Sequence, residues 1–205
     1  MRTILLTCCL FMGTILSAQN NVLIEIENAN AAYKVITGDF VRTQTNVAKG
    51  TSIKADGTLY IVGEDQMTQH YKAPSTDLLI INGNDFYMIR GKKTNKFNTE
   101  KNKTMRSLRN TLLYCVHGKP MELATENGAE ITAEKKENEY EVVLISTKKT
   151  PRGYAKIVLT YDLKSKLLTK MRMDEYNGNS TLYEMNNLKT NGNIDAKMFD
   201  IPEKK

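Results

Sequence analysis

Apolar residues recur every three or four positions in two parts of the chain, which predicts two amphipathic helices. The first apolar stripe consists of Ile26, Ala29, Tyr33 and Ile36. The second stripe, within residues 104–116, consists of Met105, Leu108, Leu112, Leu113 and Val116. Gly118 and Pro120 follow this second stripe, and we expect them to end its helix.

Other segments alternate apolar and polar residues between turn signals, as β-strands do. Asn82-Gly83 is a strong hairpin signal, because both residues tolerate the positive φ of a tight turn. The predicted strands cover residues 39–45, 58–62, 66–71, 77–81, 85–89, 93–98, 131–134, 140–147, 155–161, 167–175 and 181–188. We predict a mainly β fold with α-helices, in which a single antiparallel sheet is rolled up and two apolar-faced helices cover its concave face.

Residues 1–19 have the layout of a secretory signal peptide. Arg2 supplies the positive start, an apolar stretch follows, and small residues lead to the cleavage site. We expect cleavage after Ala18 or Gln19, which leaves residues 20–205 as a single exported domain. The alternative interpretation is a buried N-terminal helix.

The cysteines argue against both a lipid anchor and an internal disulfide. Cys8 and Cys9 lie too near the start to be acylated, because an apolar core of about 7–15 residues must precede such a cysteine. Both therefore leave with the signal peptide, and Cys115 alone stays. An exported chain with one cysteine forms no internal disulfide, so its stability has to come from its core.

Composition and motifs give no support to catalysis. Apolar residues make up 40% and charged residues 25% of the 205 residues, as in an ordinary globular protein. Cys115 lies close to His117, but no further cysteine or histidine completes a nucleophile or metal site around them. A buried cysteine at a helix end is the preferred interpretation. We expect the protein not to be an enzyme and to need neither a metal nor a cofactor.

The net charge of +6 is concentrated in residues 90–109, which hold eight basic residues and one acid. Lys92, Lys93 and Lys96 are the candidate docking residues for an anionic surface, either lipid head groups or an acidic partner face. A solvated face without a partner is the alternative. Nucleic acid does not suit an exported protein.

Five strings of residues, in this order, resemble the family of periplasmic outer-membrane lipoprotein carriers. They are residues 55–61 (ADGTLYI), 70–74 (HYKAP), 78–87 (LLIINGNDFY), 173–181 (MDEYNGNST) and 193–202 (NIDAKMFDIP). The resemblance implies an unclosed β-barrel, covered here by the N-terminal helix and by a lid helix over residues 104–116.

The resemblance also implies a function and a set of partners. Family members carry the acyl chains of lipoproteins across the periplasm, from the inner to the outer membrane. An inner-membrane ATP-driven lipoprotein-releasing transporter loads them, and an outer-membrane acceptor unloads them. The arginine-proline pair that latches the family's lid is Gly63-Glu64 here, and two aromatic positions are Met67 and Gln69. We therefore expect a monomeric periplasmic carrier whose lid is latched in another way.

Apolar residues of the strands and of the lid region are the candidate lining of the acyl cavity. The candidate lipid-binding residues are Met67, Tyr71, Leu78, Ile80, Phe86 and Met88 from strands, and Leu108, Leu112 and Met121 from the lid region. Alternation selects one face of each strand without saying which. The alternative lining is therefore Leu79, Ile81, Tyr87 and Ile89.

Two other functions compete with the carrier. One is a sensor of the same fold, which binds a lipid or lipoprotein and signals through a partner. The other is a secreted hydrolase, which would need a nucleophile, a base and an orienting group that we do not find in the sequence.

Overall fold

The structure, a computed structural model, describes residues 20–148 and 153–201. The predicted signal peptide, with Cys8 and Cys9, lies outside the described residues. The helices are α1 over residues 20–31, α2 over Lys103–Val116 and α3 over Pro120–Asn127. None of these three helices is long and apolar enough to cross a bilayer.

One antiparallel sheet contains eleven strands in the order β6-β5-β4-β3-β2-β1-β11-β10-β9-β8-β7. The strands are β1 Val35–Asn46, β2 Thr51–Val62, β3 Gln66–Tyr71, β4 Leu78–Asn82, β5 Asp85–Arg90, β6 Lys93–Asn98, β7 Ala129–Lys135, β8 Glu139–Ser146, β9 Tyr154–Asp162, β10 Leu168–Glu175 and β11 Ser180–Thr190. The first and last strands pair in the middle of the sheet, and β6 and β7 form its two edges. The predicted unclosed barrel is confirmed, and α2 and α3 connect the two edges.

The lid region contains two helices where the sequence predicted one. Asn102 begins α2, because its side-chain oxygen accepts a hydrogen bond of 3.1 Å from the backbone N–H of Met105. Gly118 follows the end of α2 with φ of 64°, and a Cβ there would lie 2.7 Å from Asn30 Nδ2. Pro120 then starts α3, since proline at the first turn of a helix loses no hydrogen bond.

The helix α1 is shorter than its apolar stripe predicts. It ends before Tyr33, and Ile36 already belongs to β1. Tyr33 and Ile36 continue the spacing of three and four beyond the last helical residue, so the spacing alone does not mark where a helix ends. Asn30 Nδ2 donates to Lys166 O at 2.7 Å, and Tyr33 Oη donates to Ser165 O at 2.9 Å. These bonds fix α1 against the turn between β9 and β10.

Candidate functional site

The concave face of the sheet is an apolar wall. One half of the wall is formed mainly by Leu59, Ile61, Met67, Leu79, Ile81 and Phe86. The other half is formed mainly by Leu144, Ile157, Leu159, Met171 and Met173. Leu112 and Val116 of α2 belong to the same buried cluster, so the lid packs directly against the sheet.

Part of the predicted strand lining lies on this wall. The residues found there are Met67, Tyr71, Phe86 and Met88, with Leu112 of α2 in the same cluster. Leu78 and Ile80 were predicted on this wall but do not lie there, because they pack on the outer face of the sheet. Leu79 and Ile81 from the alternative set take their places on the wall. On the outer side, the 3₁₀ turn at Ala196–Phe199 lies against β3 and β4.

Hairpin parity explains this error. Residues 83–84 form a two-residue turn between β4 and β5. Such a turn pairs every even-numbered residue of one strand with an odd-numbered residue of the other. Ile80 therefore lies opposite Tyr87, and Ile81 lies opposite Phe86. Even-numbered residues of β4 and even-numbered residues of β5 therefore cannot lie on the same face of the sheet. The two-residue turn that fixes this pairing was visible in the sequence.

The lid helix α2 is buried at one end and half-exposed at the other. Its C-terminal half buries Leu112, Leu113, Cys115 and Val116. Tyr161 Oη donates to Cys115 O at 2.9 Å, which ties this half to β9. In the N-terminal half, Met105 and Leu108 are only partly buried, as is Met121 of α3. The N-terminal half can therefore move with the smaller loss of packing.

Two cavities open beside the N-terminal half of α2. One of about 430 Å³ reaches the end of α3, and one of about 340 Å³ reaches the end of β10. Ser107 and Tyr154 line both of them. Ligand pockets typically measure roughly 300–1,000 Å³, so both cavities are large enough to receive part of a ligand.

Two other spaces among the described residues suit an acyl chain less well. The void between Val116 and Leu167, at the opposite end of the concave face, holds only about 10 Å³. A hollow of about 520 Å³ lies on the outer side of β1, β2 and β11, and Asp39, Asn187 and Lys189 are among its lining residues. Among these four spaces, the two lined by Tyr154 combine a mainly apolar lining with the volume that part of an acyl chain needs.

A chain of hydrogen bonds holds the lid to the sheet. Arg109 Nε donates to the carbonyl oxygen of Gly83, in the turn between β4 and β5, at 2.7 Å. Arg109 Nη1 donates to Asn110 Oδ1 at 2.8 Å, and Asn110 Nδ2 donates to Glu126 Oε2 of α3 at 2.9 Å. The cation is on the lid and the carbonyl is on the sheet, so this contact does not depend on an arginine at position 63.

The turn after β2, where the sequence lacks the family's arginine, also contacts the lid region. Lys119 Nζ lies 3.1 Å from Glu64 Oε1, and this hydrogen-bonded pair lowers the pKa of the Glu64 carboxyl. His117 is buried nearby, and its Nε2 has no hydrogen-bond partner within the described chain. Burial and the charge of Lys119 lower the pKa of His117 to about 4, so its imidazole is neutral at pH 7.

The three predicted docking lysines do not share one environment. Lys92 and Lys93 are exposed at the turn between β5 and β6. Lys96 Nζ lies 2.8 Å from Asp85 Oδ2 and 5.2 Å from the centre of the Tyr87 ring. The bond to Asp85 raises the pKa of Lys96 and offsets its charge. Lys92 and Lys93 are therefore the better-placed cations of the three.

Metal-binding clusters and thiols were the two kinds of reactive group that the sequence raised. Within residues 20–148 and 153–201, no three His, Cys, Asp or Glu side chains are grouped closely enough to hold a metal ion. Cys115 is a buried free thiol, and burial raises its pKa. A thiol of this kind is a poor nucleophile, because the thiolate is the reactive form.

An unclosed antiparallel sheet with an apolar concave wall and a helical lid defines a class of lipid-binding folds. The family model of the outer membrane lipoprotein carrier protein LolA matches residues 31–202 of this chain. The chain therefore belongs to the LolA family, as the five strings of residues indicated.

Solved structures share the fold at very low sequence identity. An uncharacterized conserved protein from Thermus thermophilus is 9% identical with a TM-score of 0.53, over 88% of this chain and 93% of that chain. A DUF1329 family protein from Desulfovibrio piger ATCC 29098 is 10% identical with a TM-score of 0.51, over 91% and 97%. MucB, also solved as the Pseudomonas aeruginosa MucA/MucB complex, is 12% identical with a TM-score of 0.50, over 92% and 64%. No curated protein sequence matches the chain significantly.

Proposed function

We propose that this protein is a periplasmic carrier that encloses acyl chains of lipoproteins and moves them from the inner to the outer membrane. The supporting observation is that the apolar wall continues to the partly buried Met105 and Leu108, with cavities on both sides of Ser107. Each CH₂ group removed from water contributes ~0.8 kcal/mol, so a sixteen-carbon chain contributes roughly 12 kcal/mol before costs. Full enclosure under a lid recovers more of this free energy than an open groove.

The carrier needs no chemistry of its own. Release from an inner-membrane ATP-driven transporter and delivery to an outer-membrane acceptor can follow a gradient of affinity, with the carrier as a monomer between them. Family membership supports these partners and a non-enzymatic role. Export is tested by the intact mass of the secreted form, which should correspond to a chain beginning near Gln19 or Asn20. A mass that includes an acylated cysteine would contradict export as an unanchored protein.

Acyl binding is tested by placing a charge at the cavity. Leu108→Glu puts a carboxylate on the partly buried lid surface that lines the 340 Å³ cavity. We expect the affinity for a fluorescent fatty-acyl probe to fall by about tenfold or more, because burying the carboxylate beside the chain is costly. The matched control is Ile24→Glu, the same kind of change at an exposed position on α1, where Ile24 is 47% exposed.

The two variants separate a local effect from a loss of fold. Thermal unfolding should show both variants folded, with Ile24→Glu binding the probe as the wild type does. Equal probe binding by wild type and Leu108→Glu would remove this part of the lid from the site. A wild-type protein that binds no acyl probe would contradict the proposed function. A protein that binds the probe but moves no acylated lipoprotein between vesicles would be a binder and not a carrier.

A further inference from the structure

A charged side chain, Arg42, lies on the concave wall near its middle strands. Arg42 of β1 lies on the same face as Phe40, which is buried in the core. The Arg42 guanidinium lies 4.6 Å from the centre of the Tyr71 ring. In the strand register, Arg42 lies opposite Tyr183 of β11. The apolar wall is thus interrupted by a small polar cluster, which we define as Arg42, Tyr71 and Tyr183.

Arg42 is half-buried without a counter-ion. Its Nε is buried and has no hydrogen-bond partner within the described residues. No carboxylate in the described part of the chain lies within ion-pair distance of it. Asp77, whose charge also acts on the Tyr71 hydroxyl, is held by Arg90 Nε at 3.8 Å.

An unpaired guanidinium in such a place has a free-energy cost. Arginine does not lose its proton in proteins, and a charge withdrawn from water without a partner is unfavourable. The ring of Tyr71 offsets part of that cost through a cation–π contact. Within the described residues the planar N–H fork of Arg42 has no protein acceptor, and its Nε is also withdrawn from water. Such a fork suits the two oxygens of a carboxylate or a phosphate.

The polar cluster and the cavities share one apolar surface, since Tyr71 and Tyr183 belong to the buried cluster of the wall and Tyr154 packs against that cluster. Burial raises the pKa of the Tyr154 hydroxyl, and the charges of Tyr183 and Glu175 raise it further. Tyr154 lines both cavities beside α2. A chain that enters there and lies along the apolar wall would bring its polar end within reach of Arg42.

We propose that Arg42, Tyr71 and Tyr183 form a head-group site that selects acyl amphiphiles with an anionic head group. The acyl chain lies against the apolar wall, and the carboxylate or phosphate accepts hydrogen bonds from the Arg42 guanidinium. This inference rests on acyl binding as proposed above and adds a preference among ligands. A lipoprotein acylated through esters and amides would offer Arg42 only neutral carbonyl oxygens.

The test compares ligands that share a chain and differ in the head group. Oleic acid, oleoyl lysophosphatidic acid and oleyl alcohol displace a neutral fluorescent acyl ester from the wild-type protein near pH 8, below their aggregation concentrations. We expect both anions to bind about tenfold to a hundredfold more tightly than the alcohol, as hydrogen bonds between charged groups do. A stronger effect with one anion identifies carboxylate or phosphate as the preferred group.

Variants at position 42 assign the preference. Arg42→Met should abolish the preference for anions and leave the affinity for oleyl alcohol within about twofold, because methionine keeps an apolar stem and loses only the charged guanidinium. Arg42→Lys should retain part of the preference for anions, since lysine keeps the charge but loses the planar fork. Arg172→Met, on the outer face of β10, is the control for net charge.

Three outcomes are distinguishable. A wild-type protein that binds oleic acid and oleyl alcohol equally overturns the head-group site, whatever the variants do. An anion preference that survives in a folded Arg42→Met variant overturns the role of Arg42. A wild-type protein from which no ligand displaces the probe, or which binds no probe, contradicts the proposed function itself.

Discussion

Removing the contact between Arg109 and Gly83 should loosen the lid. Arg109 Nε donates to Gly83 O at 2.7 Å, and in Arg109→Met this carbonyl loses its charged donor. A hydrogen bond to a charged group contributes about 1.5–3 kcal/mol. Arg109 is only half-buried, so solvent screening reduces the value to about 1 kcal/mol. That free energy corresponds to an increase of about fivefold in the population of open lid.

Hydrogen exchange measures this population directly. Backbone amides of α2 exchange when the helix detaches or unfolds locally, so their rates report the opening free energy. In Arg109→Met, we expect exchange in the first half of α2 to accelerate about fivefold, while β9 and β10 keep wild-type rates. The matched control is Arg106→Met, which removes the same charge from an exposed position on the same helix.

The pattern of rates decides the outcome. Unchanged exchange in Arg109→Met would refute the role of this bond as a latch. Equal acceleration in Arg106→Met would assign the effect to charge and not to the contact with Gly83. Acceleration spread over the whole sheet would indicate global destabilisation. If lid opening limits uptake, the association rate of an acyl probe should rise by about the same fivefold.

Three further predictions concern titration, reactivity and docking. The pKa of His117 falls from 6.5 in the unfolded chain to about 4 in the fold, so stability should decrease as pH falls between these values, by up to about 3 kcal/mol. The free energy of unfolding, measured with denaturant across this pH range, should depend less on pH in His117→Gln than in the wild type. An identical pH dependence in the two proteins would contradict the assignment to His117. Cys115 should react with iodoacetamide only upon unfolding, because it is buried and its thiol pKa is raised; rapid labelling of the native protein, read by mass spectrometry, would contradict this. Lys92→Glu combined with Lys93→Glu should weaken binding to anionic vesicles in a salt-dependent manner, and Lys54→Glu, another exposed lysine, should not. If sedimentation finds equal binding, the two lysines form only a solvated face.

Local pattern determined most of the secondary structure. Alternation and turn residues predicted a strand that overlaps each observed strand, and short turns made an antiparallel sheet the natural arrangement. The apolar stripe from Met105 to Val116 predicted α2, because its spacing of three and four positions continues over several turns. The parity of the hairpin between β4 and β5 was also encoded, since a two-residue turn leaves no other pairing.

The tertiary structure decided the rest, because the remaining choices depend on residues far apart in the chain. Which face of β4 is concave follows from where the helices pack, so Ile81 and not Ile80 belongs to the wall. The pairing of β1 with β11 brings Tyr183 beside Arg42, although no local pattern connects the two. Sequence period fixes which side chains share a face of one element. The surface that the face meets is fixed only when distant elements bury their apolar sides together.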